Sequence, residues 1–155
     1  MSDQERPDII IQDNTAIWEM KVDGDIHGTY MGKFRFRCYL TPTQKIAADR
    51  EYRQMLGDNP TTAPEHESFL AYSLTQLKYR VLEAPPFWSS TQQTSIGAVH
   101  GDLPDENVLS AVLDAAISAE VKYKAQLKKR KEEALDRAKK AAERLLKGRD
   151  EQAEE

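Results

Sequence analysis

Apolar and polar residues change period along the chain, and each change predicts an element. Between Phe69 and Trp88 the period is helical: Leu70, Leu74, Leu77 and Val81 form a stripe that Phe69 and Leu82 widen, and Pro85-Pro86 ends it. Upstream the period is two. Ala16, Trp18, Met20 and Val22 alternate with Ile17, Glu19 and Lys21, and Asp23-Gly24-Asp25 supplies a turn. The return strand, Thr29–Leu40, sets Tyr30, Phe34, Phe36, Cys38 and Leu40 on one face with Gly32. Lys33, Arg35 and Arg37 share the other face with Met31 and Tyr39. A two-stranded hairpin is marginal in water, so its apolar face must pack on helices or on another subunit. Ahead of it, Ile9-Ile10-Ile11 reads equally well as an edge strand or as an arm that adds to a neighbour.

Helix signals follow the hairpin. Thr41-Pro42-Thr43-Gln44 offers an N-cap Thr, Pro at the first helical position and Gln three residues after the cap. The predicted helix runs to Leu56, with Ala48, Tyr52, Met55 and Leu56 inward and Gly57 as its stop. Thr62-Ala63-Pro64-Glu65 repeats the cap signature and launches the striped helix. After Trp88, residues 89–101 are polar and read as a long loop, either mobile or a binding surface. Asp102 or Asp105 then caps a third helix striped with Val108, Leu109, Val112, Leu113, Ala116, Ile117 and Val121. With no Pro beyond, and no Gly before Gly148, that helix is expected to continue to Lys147, a length on the order of 60 Å. Its seam thins to Leu127, Leu135, Ala138, Ala142 and Leu145, and RDEQAEE is expected to fray.

The fold class expected is α+β, mainly helical: an N-terminal β-hairpin packed on two capped helices, followed by a long C-terminal charged helix. The expected divisions are an arm at 1–15, a hairpin-plus-helix core at 16–121 and a charged helix at 122–155. Charge sharpens the last boundary. Residues 122–155 hold 12 Lys/Arg against 8 Asp/Glu, whereas 1–121 hold 10 against 18. Opposite polarity of body and tail favours docking to a partner or to a second copy over blanket affinity for nucleic acid. No segment approaches the roughly 18 apolar residues a bilayer span needs, and the acidic N-terminus does not resemble a secretion signal. A soluble, non-secreted protein without a membrane partner is expected.

Little in the chain suggests catalysis. Cys38 is the single cysteine and sits in an aromatic strand pattern, as a small buried hydrophobe would. His27, His66 and His100 have no ligand spacing, so neither a metal site nor a cofactor is expected. Gly28–Phe34 superficially matches a phosphate-binding loop, but it is one residue short and has Phe34 where a magnesium-binding hydroxyl belongs. No general acid and base pair or activated nucleophile stands out, and a non-enzymatic role is expected. The basic strand face Lys33, Arg35, Arg37 and the run Lys128–Lys131 read as solvated faces in preference to a nucleic-acid site. Ala84-Pro85-Pro86-Phe87-Trp88 reads either as a helix end folded over the core or as a rigid aromatic knob for a partner.

The order LTPTQKIAADREYRQMLG, VLEAPPFW, DENVLSAVLDAAISAEVKYKAQL, spanning Leu40–Leu127, resembles the tail-assembly chaperones of long-tailed bacteriophages. The resemblance implies a protein of the host cytoplasm that binds the hydrophobic tape-measure protein, keeps it soluble and recruits tail-tube subunits. The surface expected to meet that partner comprises Pro86, Phe87, Trp88, Tyr79, Leu113 and Ile117. The hairpin and tail lie outside the resemblance. The alternative they suggest is a virion structural subunit, such as a neck, decoration or tail-accessory protein, that assembles through hairpin and long helix as a homo-oligomer or with another phage protein.

Overall fold

In a computed structural model, residues 8–57, 63–89 and 105–153 are described. The alternating segments form strands as their period requires. β2 (Thr15–Asp23) and β3 (Thr29–Arg37) pair antiparallel, with Trp18 opposite Phe34 and Ala16 opposite Phe36. Ala16, Trp18, Met20, Phe34 and Phe36 all point to the buried face. The last residues of the expected strand leave the ladder at Arg37, yet Cys38 and Leu40 stay buried, and the Cys38 amide donates to the Asn14 carbonyl at 3.0 Å.

The hairpin does not stand alone. Ile9–Gln12 forms β1, paired antiparallel to β2 with Ile9 opposite Trp18, so the Ile run is an edge strand of this sheet and does not belong to an arm ending at residue 15. A fourth strand comes from an unexpected place. The helix α2 (Glu65–Arg80) ends one turn before the prolines, and Val81–Glu83 becomes β4, paired with β3. The sheet order is β1-β2-β3-β4. Two causes favour the strand: Pro85 and Pro86 bias the preceding backbone towards extended geometry, and β3 offers an edge to pair. The fold is therefore α+β and mainly helical, with a four-stranded sheet where a hairpin was expected.

α1 (Pro42–Leu56) begins with the capping box read from the sequence. Thr41 Oγ1 accepts from the Gln44 amide at 3.3 Å, and the Gln44 side chain accepts from the Thr41 amide at 2.9 Å. Ala48 is buried, whereas Met55, expected inside, is 38% exposed near the helix end. α2 has no matching box: Pro64 is its N-cap, with no side-chain cap bond, and Thr62 lies outside the described residues. Its buried positions also differ from the expected stripe. Leu77 is buried, Leu70 and Leu74 are half-buried, Leu82 has left the helix, and Ala71, Ser73, Thr75 and Arg80 are buried instead. The hydroxyls tolerate burial because each donates back to its own helix, Ser73 to the Phe69 carbonyl and Thr75 to the Ala71 carbonyl, both at 2.8 Å.

A short turn of helix, α3 (Pro86–Ser89), follows β4, and α4 spans Glu106–Ala153. Gly148 does not end α4, and residues expected to fray continue the helix to Ala153. Along its first half Val108, Leu109, Val112, Leu113, Ala115, Ala116 and Ala119 are buried. Two residues of the expected stripe turn outward: Ile117 is 36% and Val121 63% exposed. The chain divides into two compact units, Met1–Val121 and Lys122–Glu155. Expectations for 90–101 and Asp102 lie outside the described residues.

Candidate functional site

The Pro-Pro-Phe-Trp segment is part of the core. Gly32 makes room for it: a Cβ there would overlap the Pro85 ring, so only glycine lets this strand accept the proline so closely. Pro85 thus brings α3 against the sheet, where Phe87 meets Tyr30 edge-on at 5.0 Å and Trp88 meets Phe34 edge-on at 5.3 Å. Trp88 is 1% exposed and Phe87 half-buried, leaving only Pro86 in solvent. Of the two readings of this segment, the helix end folded over the core is the one seen. Leu113 is likewise buried. Tyr79 is half-buried, and its hydroxyl donates to Glu51 Oε1 at 2.8 Å, the same oxygen that receives Lys78 Nζ at 2.7 Å. Of the six residues expected to meet a partner, Pro86 and Ile117 are the exposed ones, and they come from different elements.

A polar cluster that the sequence showed only as a helix cap fixes the hairpin turn. The backbone carbonyl of Asp105 starts α4, accepting from the Val108 and Leu109 amides. Its carboxylate, however, turns away from the helix to accept from the Ile26 amide, the His27 amide at 3.1 Å and the Tyr30 hydroxyl at 2.6 Å. Asn107 completes the grip, donating to the Asp23 carbonyl at 2.8 Å and accepting from the Asp25 amide at 3.2 Å. Gly24 lies so close that a Cβ would collide with the Asp105 carboxylate and the His27 carbonyl. Burial pushes the Asp105 carboxyl up, but the hydrogen bonds from Tyr30, Ile26 and His27 and the His27 charge together hold it below the usual carboxylate range. The same bond to Asp105, with burial and the carboxylate's charge, raises the Tyr30 phenol to about 12.

Cys38 is fully buried, and burial together with the nearby Glu120 charge raises its thiol from 9.0 to about 11. That is the opposite of an activated nucleophile. At neutral pH, thiol-reagent labelling of the native chain is expected to be at least about 100-fold slower than of the urea-unfolded chain, since two units of pKa remove that much thiolate. Comparable rates in the two states would place Cys38 at an accessible site. Arg80 is also buried: its Nε donates to Gln76 at 3.1 Å and its Nη2 lies 3.7 Å from Glu120. Among the described residues, no group of three or more His, Cys, Asp or Glu is arranged to hold a metal ion.

The exposed apolar surface lies elsewhere. With Ser73, Thr75 and Leu77 inward, α2 turns Phe69 and Tyr72, one turn apart, to solvent at 41% and 43% exposure. The Tyr72 ring packs edge-on against Tyr52 of α1 at 6.5 Å, and Met55 follows on the Tyr52 side of α1. This aromatic flank spans two helices, α1 and α2. Comparison with family models, with curated proteins and with solved structures gave no match.

The strand face Lys33, Arg35, Arg37 is less basic than its sequence suggests. Glu19 stands opposite Lys33 in the ladder, and Glu83 of β4 reaches within 3.5 Å of Arg35. Cross-strand acids thereby offset two of the three cations. No helix among the described residues is long and apolar enough to cross a membrane. The sequence missed the α1–α2 flank because it assigned Phe69 to the inward stripe and gave Tyr72 no role. Spacing gave no warning of it, because Phe69 lies one turn ahead of buried Ser73 on the same side of the helix and is exposed near the start of α2.

Proposed function

We propose that the protein is a non-enzymatic binding protein, a tail-assembly chaperone of a long-tailed bacteriophage, acting in the host cytoplasm on the tape-measure protein. The observation that carries a binding role is the exposed aromatic flank of α2, where Phe69 and Tyr72 offer large, rigid contact area beside Tyr52. The choice of client rests on the resemblance over Leu40–Leu127. An apolar client segment laid along α2 would shield its own hydrophobic surface while the acidic body keeps the complex in solution. Co-expression with a tape-measure segment is expected to raise the soluble yield of that segment several-fold, and Phe69→Asp with Tyr72→Asp is expected to abolish the gain. If the intact protein leaves solubility unchanged, the chaperone reading fails.

A second reading, a virion structural subunit, is favoured by one feature: β1 is the edge of the sheet and carries Ile10 58% exposed. Mass spectrometry of purified virions separates the two, because a structural subunit is present in stoichiometric amounts and a chaperone is nearly absent.

A further inference from the structure

We draw no further inference here: the strongest candidate, the cleft of about 490 Å³ along the outer face of α1 at Ile46, Arg50, Arg53 and Gln54, is walled among the described residues by that one helix, has its Arg53 already paired with Asp49, and nothing in the structure shows what covers it.

Discussion

Trp88→Ala is expected to destabilise the fold by about 3–5 kcal/mol, the range for truncating a buried aromatic, and to lower Tm by about 10 °C. The indole is 1% exposed, packs edge-on against Phe34, and sits where Pro85 is admitted by Gly32. Its removal leaves a cavity between α3 and the sheet that rigid strands cannot collapse to fill. Trp88→Phe should cost less, because a ring still reaches Phe34 and the buried indole nitrogen has no hydrogen-bond partner among the described residues to lose. Client binding by the folded fraction should survive both changes. Thermal denaturation beside a binding assay decides the point: an unchanged Tm with lost binding would mean that Trp88 is a surface anchor after all.

Replacing Asp105 with Asn should release the hairpin turn while leaving the strands paired. Asn has the same shape but sets an NH2 group against the Ile26 and His27 amides, which can only donate, so one of those bonds is lost even if the Tyr30 hydroxyl turns to accept. Exchange of the Ile26 and His27 amides, followed by NMR, is expected to quicken on the order of tenfold or more. The pH dependence has a definite sign. The carboxyl is held below its ordinary 3.8 in the folded chain, so its contribution is complete above that value and is lost as pH falls through the folded value. The Tm difference between wild type and Asp105→Asn should therefore be constant from about pH 5 upward into the neutral range and shrink below about pH 4. Tyr30 provides an alkaline check. Its phenol, raised to about 12, should titrate nearer its ordinary 10.0 in the variant. A Tm difference that grows on acidification would refute the latch.

The strands were legible because period-two alternation is a local property: Ala16, Trp18 and Met20 against Phe34 and Phe36 need only one register to bury all five. The α1 cap was legible for the same reason, since Thr41 and Gln44 satisfy each other. What escaped depended on partners distant in sequence. Val81-Leu82-Glu83 continues a helical count perfectly well, and only the open edge of β3 and the docking of Pro85 over Gly32 turn it into β4. Asp105 does begin α4, but its carboxylate serves amides 78 and 79 residues away. The site suffered most. Large aromatics beside prolines left a core anchor and a partner knob both open, and only the packing of Trp88 on Phe34 decides for the core. Phe69 and Tyr72, in the first half of α2, are left in solvent, while Ser73 and Thr75 are buried with their hydroxyls satisfied within the helix.

That α2 meets the client is tested most directly by site-specific photocrosslinking. A benzophenone amino acid at position 72 or 69 should crosslink to a co-expressed tape-measure segment, while the same probe at Ile117, exposed on α4, should not. Crosslinks from position 117 with none from 69 or 72, in a complex that keeps the segment soluble, would contradict the assignment of the aromatic flank.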